Sequence, residues 1–153
     1  MLAACRAEPA ANLTGPPPAP AAAPRLAPSG LALVSLRIES GGRSHAFTVE
    51  VARTPEEQER GLMVRETLAS DGGMIFPLRP PRPASFWMRN TSIPLDILFV
   101  REDGTIARIA ADTVPHSEQP VASGEPVAAV LELKGGRAAE LGISEGDRVV
   151  WLG

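Results

Sequence analysis

The run Leu95-Asp96-Ile97-Leu98-Phe99-Val100 is apolar at odd and even positions alike. Side chains alternate between the faces of a strand, so a stretch apolar on both must be covered on both. It predicts a central, buried strand. Asp96 falls inside it, and a carboxylate entering such a strand must be paired or hydrogen-bonded, or its pKa rises. Arg60, Arg65 and Arg89 are the expected partners, because a planar guanidinium pairs bidentately with a carboxylate.

The rest of the pattern is short strands and turns. Val34, Leu36 and Ile38, then Phe47, Val49 and Val51, alternate with polar residues as two half-buried strands joined at Gly41-Gly42. Thr54-Pro55-Glu56-Glu57 is a helix start, with Thr54 placed to cap, Pro55 at the first helical position and Glu57 completing a capping box. The helix is expected to run to about Val64, with Gly61 as an interior weak point. Pro77, Pro80, Pro81 and Pro83 are expected to bar regular structure as far as Ser85 and to form a stiff flap. Further strands are expected over 85–88, 95–101, 105–110, 127–133 and 147–152. A hairpin turn is expected at Asp103-Gly104 and a short helical turn over 137–141. The sum is mainly β: a compact single-domain β-sandwich or barrel of seven to eight short strands with one or two short helices.

The domain begins at Leu31. Residues 1–30 hold ten Ala and seven Pro, with Arg6, Glu8 and Arg25 as their charges. Such a stretch has no apolar period and reads as an extended tether. The single cysteine stands in Leu2-Ala3-Ala4-Cys5, which resembles the lipobox of bacterial lipoproteins, where small residues admit the peptidase and the thiol carries the lipid. The expectation is therefore an exported, periplasmic or membrane-anchored protein held through Cys5, with a cytoplasmic protein as the alternative. Four residues before Cys5 are too few for the charged and apolar parts of a leader, so a start site assigned late or an N-terminus already removed is expected.

Charge and composition exclude several classes. The net charge is −3, so no basic excess favours nucleic acid. One cysteine excludes a disulfide framework, and two histidines, His45 and His116, exclude a three-histidine zinc site. No cofactor is expected.

The stretch from Thr54 to Val100 carries a specific signature: Glu59-Arg60-Gly61-Leu62-Met63-Val64-Arg65, Gly73-Met74-Ile75-Phe76, and Ser85-Phe86-Trp87-Met88-Arg89-Asn90-Thr91-Ser92-Ile93-Pro94-Leu95-Asp96-Ile97. It resembles the uncharacterised bacterial and archaeal family numbered 192 among domains of unknown function. The similarity continues through Asp103-Gly104, Val130-Leu131-Glu132-Leu133 and Gly142 to Asp147. The resemblance implies a compact, often exported β-sandwich, and it implies no activity, catalytic residue or cofactor.

The residues that could carry chemistry cluster in that signature. Arg60, Arg65, Trp87, Asn90, Thr91 and Asp96 read as a pocket for a small polar ligand, sugar- or carboxylate-like, with Trp87 offering a stacking face. The competing reading makes Asp96 part of an ion pair locking helix to sheet, Asn90 a turn residue serving its own backbone, and the domain a structural or interaction module without a ligand. Met63, Met74 and Met88 with His116 could form a thioether–imidazole site for Cu(I), against the plainer role of methionine as core filler. Asp96 with Glu132 could act as the acid and base of a hydrolase. No Ser-His-Asp set is legible, and a non-enzymatic binding module is the favoured reading. If Cys5 is the lipid attachment site, Cys5→Ser in the source organism, expressed from the full reading frame, abolishes lipid labelling and releases the protein from the membrane fraction. Unchanged labelling and localisation would refute the tether.

Overall fold

The computed structural model describes residues 23–152. Cys5 and most of the tether lie outside the described residues. The ordered chain enters through a narrow turn in which Leu26 pairs with Ala32, and Ala27 is buried.

Helix α1 spans Pro55–Arg60 and starts as the sequence requires. Thr54 Oγ1 accepts from the Glu57 N–H at 3.2 Å, and Glu57 Oε2 accepts from the N–H groups of Thr54 at 2.9 Å and Arg53 at 2.6 Å. The helix does not reach Val64. Gly61 ends it at φ 46°, a backbone region that L side chains rarely adopt, and a Cβ there would stand 3.3 Å from Phe76 Cζ. The residue expected to weaken the helix interior is the one that stops it.

The strands are β1 (Leu33–Ser40), β2 (Arg43–Val51), β3 (Gly73–Phe86), β4 (Leu95–Val100), β5 (Ile106–Ala110), β6 (Val121–Lys134) and β7 (Arg148–Trp151), with helix α2 (Arg137–Leu141) before the last. They form one seven-stranded sheet in the order β5-β4-β6-β3-β2-β1-β7. The β2–β3 pairing is parallel, with α1 in its connection; the others are antiparallel. The sheet curls until its ends touch. Thr105 bridges Arg148, and the Val149 N–H donates to the Gly104 carbonyl at 2.8 Å. The mainly β, single-domain expectation holds, in its barrel-like form.

Two expectations about strands need correction. The prolines do not end regular structure: β3 runs unbroken from Gly73 to Phe86. Proline cannot donate to a ladder, and the register slips where the prolines cluster. Pro77 faces Ala129 and the next paired residue, Arg82, faces Val127, so Pro80 and Pro81 sit in an exposed bulge. The expected flap is this bulge, and the strand expected over 85–88 is the end of β3. Its partner β6 is likewise longer than the expected 127–133.

Burial follows the curl. All seven strands contribute to one apolar cluster, including Ile38, Phe47, Ile75, Leu98, Leu131 and Val149, which marks the inner face. The buried strand residues of a second cluster come from β3, β4 and β6, with Leu62 and Met88 laid over their outer face and Ala107 and Ala110 of β5 packed against its edge. All six residues of β4 are buried, so the run apolar on both faces is covered on both.

Asp96 is fully buried and pairs with none of the three arginines. Oδ1 accepts from the N–H groups of Asp112 at 2.8 Å and Gly136 at 2.9 Å, and Oδ2 accepts from the Ala138 N–H at 2.7 Å. Two of those donors belong to the start of α2, where N–H groups have no partner within the helix. The carboxylate satisfies them without the burial of a guanidinium, and so ties α2 and the 112 segment across β4. Asp96→Ala orphans three N–H groups and is expected to cost about 3 kcal/mol or more. Asp96→Asn, which keeps one acceptor oxygen, is expected to cost clearly less. Urea unfolding of the two variants checks the order; equal stability would contradict it.

Candidate functional site

The outer face of β3, β6 and β4 is roofed by two short segments, the turn after α1 and the loop over 87–94. The roof is incomplete. It leaves an open cavity of about 400 Å³, within the ~300–1,000 Å³ typical of small-molecule sites. Leu62 and Met63 line it from the turn, Phe76 and Phe86 from β3, and Trp87 and Thr91 from the loop. The two phenylalanine rings meet edge to face at 5.0 Å between centroids, a stable apolar wall.

Glu132 lies on the sheet beneath this roof and lines the cavity. Register places it beside Met74 of β3 and Ile97 of β4, two fully buried apolar residues. Glu132 itself is 4% exposed. Among the described residues no hydrogen bond or neighbouring charge offsets that burial, which pushes its carboxyl up to about 8. At neutral pH it is therefore chiefly a neutral acid, able to donate a hydrogen bond as well as accept one. The charged residues on the cavity are Glu59, Arg60 and Arg82 at its mouth, all exposed.

The six residues expected to form a pocket divide into two groups. Arg60, Trp87 and Thr91 line the cavity. Trp87 is 44% exposed, with the Arg89 guanidinium 5.2 Å from its ring centroid. Thr91 is buried, its hydroxyl donating to the Arg89 carbonyl at 3.2 Å. Asn90, Arg65 and Asp96 are not among the lining residues. Asn90 is exposed in a turn at φ 54°, and its carbonyl accepts from the Val64 N–H at 2.8 Å. Arg65 forks onto Glu50 at 2.8 and 2.9 Å, and the Ser29 hydroxyl also donates to Glu50. Burial pushes the Glu50 carboxyl up, but Arg65 and Ser29 outweigh it, and the carboxyl sits below its ordinary value. Asp96 points to the inner face, across from Leu133.

That last placement also separates Asp96 from Glu132. Register sets Asp96 beside Leu133 and Ile97 beside Glu132, and neighbours along a strand face opposite ways. The two carboxyls are on opposite sides of the sheet and cannot serve as an acid–base pair. Nor are the residues weighed for Cu(I) a common shell. Met74 and Met88 are sealed in the outer cluster, where Met88 Sδ accepts from the Thr113 hydroxyl at 3.1 Å. Met63 lines the cavity, while His116 is exposed in a loop at φ 61°. Among the described residues no group of three or more His, Cys, Asp or Glu side chains could hold a metal ion.

The residue that sequence reading undervalued is Glu132. Its signal was an acid inside the apolar run Val130-Leu131-Glu132-Leu133, the same signal that singled out Asp96.

The raised Glu132 pKa has a stability consequence. The native state holds a proton that the unfolded chain releases near pH 4.5, so stability falls as pH rises from there to about 8 and levels off above, by as much as ~1.4 kcal/mol per pH unit. Glu132→Gln carries no titrating group. It is expected to lack this decline and to be more stable than the parent at pH 8. Glu50 acts in the other direction, its contribution lost only as pH falls below the ordinary carboxylate value. Chemical unfolding from pH 5 to 8.5 checks the difference; parallel curves for parent and variant would refute it.

Comparison with known proteins bears on the whole of this domain. No curated protein matches the chain. A protein of unknown function from Novosphingobium aromaticivorans DSM 12444 is 50% identical, with TM-score 0.82 over 86% of this chain and 94% of its own. A protein from Sinorhizobium meliloti 1021, described provisionally as a transcription regulator, is 47% identical, with TM-score 0.77 over 79% of this chain and 95% of its own. Residues 36–151, from β1 to the end of β7, match a single family. The chain belongs to DUF192, a family described as uncharacterized ACR.

Proposed function

We propose that this domain is a non-enzymatic binding module for a small polar ligand, taken into the cavity between the turn after α1, the β3 bulge and the 87–94 loop. The observation that carries this reading is Glu132: an unpartnered, buried carboxyl lining an open cavity. A sheet built only for stability gains nothing from an acid at that position, because an apolar residue there would avoid the desolvation cost. Trp87, half exposed on the same cavity, offers a rigid face at little entropic cost. Catalysis finds less support, since the cavity holds one buried acid and no second buried titratable group.

The description of the S. meliloti relative as a transcription regulator gains no support from the helices. Those among the described residues have six and five residues, too short for a recognition helix of the usual kind. The lipobox-like Cys5 adds location to the proposal: a domain held at an exported membrane face would sample ligands outside the cytoplasm.

Trp87→Ala separates the binding reading from the structural one. Being half exposed, Trp87 should cost about 1 kcal/mol on truncation, against the ~3–5 kcal/mol of a core tryptophan. It should abolish the thermal shift produced by whichever compound binds in a panel of small carboxylates and monosaccharides. A loss of several kcal/mol, with no compound shifting the parent, would favour a purely structural role.

A further inference from the structure

The cavity is selective in what it leaves unsatisfied. A sugar needs several polar partners, and apart from Glu132 the polar side chains of the lining that are not exposed, Gln58 and Thr91, are committed elsewhere. Gln58 Nε2 donates to the Ala52 and Pro77 carbonyls at 3.1 and 2.9 Å, and the Thr91 hydroxyl donates to Arg89. The buried polar group left over is the Glu132 carboxyl. An amine would have to pass Arg60 and Arg82, neither of which is held in an ion pair among the described residues. Their guanidiniums outnumber the one acid at the mouth, Glu59, so the local field attracts anions despite the negative net charge of the chain.

We propose that the ligand is an organic monoanion bearing one carboxylate on a compact apolar body, and that Glu132 donates a hydrogen bond to that carboxylate while Trp87 and the Phe76–Phe86 wall hold the body. This rests on the binding-module reading above. A neutral acid facing a carboxylate shares one proton between two carboxyl groups, a short and strong bond that is favoured where water is excluded. It also supplies Glu132 with the partner it lacks. The groups beside Glu132 on the sheet, Met74 from β3 and Ile97 from β4, carry no charge, and neither do Leu62, Met63 and Thr91, which line the same cavity. The charges at the mouth that could modulate its proton are Glu59, Arg60 and Arg82.

The test uses the full chain and four probes of similar size: benzoate, benzylamine, benzamide and glucose. Binding is followed by NMR at the Met63 methyl and the Trp87 indole. Benzoate is expected to shift both, with an affinity constant that falls tenfold per pH unit above about pH 8, where free Glu132 loses its proton. Glu132→Gln, whose amide still donates, is expected to bind benzoate without that slope. Benzylamine or glucose shifting these signals while benzoate does not would overturn the carboxylate assignment and leave the binding module standing. Benzoate binding with the same pH profile in parent and Glu132→Gln would overturn the role of Glu132. No shift with any of the four would overturn the assignment and the binding-module reading together.

Discussion

Strands β3, β6 and β4 carry apolar side chains on both faces, and the rest of the molecule is arranged around covering them twice. The inner cover is the sheet itself. By curling until Thr105 meets Arg148, all seven strands bury their inward side chains in one cluster, which removes most of the edge that an open sheet would expose. The outer cover has far less material. It consists chiefly of the turn after α1 and the 87–94 loop, with the side chains of Leu62 and Met88. A roof of short irregular segments cannot interdigitate with a sheet as densely as another sheet or a long helix can. The cavity follows from that shortage.

Three buried acids show how differently one fold can satisfy a carboxyl. Glu50 takes a guanidinium and a hydroxyl, and stays ionised. Asp96 takes three backbone N–H groups, two of them from a helix start that needs an acceptor. Glu132 takes nothing, and burial keeps it protonated. The first two join parts of the fold that are distant in sequence: the Ser29 turn to Arg65, and β4 to α2. Glu132 joins nothing. A group that contributes no cross-link and raises the cost of folding at neutral pH is not explained by the stability of the fold, and this distinguishes Glu132 from the more conspicuous Asp96.

Local sequence determined the elements whose causes are local. The capping box at Thr54, the turn at Asp103-Gly104, the alternation of β1 and β2 and the two-sided run of β4 all rest on neighbours within a few residues, and each was legible. So was kinship, through a motif dense enough to identify the family. Elements whose limits depend on a distant partner were not. The prolines of β3 looked like an end to regular structure, yet β6 absorbs them by slipping register. Gly61 looked like a flaw inside a helix, yet it turns the chain at a positive φ that ends the helix, with Phe76, brought in from β3, packed tightly against the position a Cβ would take.

The candidate site divides along the same line. The sequence could say that Asp96 and Glu132 were acids in apolar strands and therefore needed an explanation, because burial of a carboxyl depends on its immediate neighbours. It could not say which acid meets a donor and which meets a cavity. That depends on the pairing of β4 with β6, where one residue of offset sends Asp96 inward to α2 and Glu132 outward beneath the roof. A side-chain period of two makes the choice of face absolute. Only the assembled sheet, which sets that register and brings α2 and Trp87 to opposite sides of it, decides which carboxyl meets backbone donors and which is left facing a cavity.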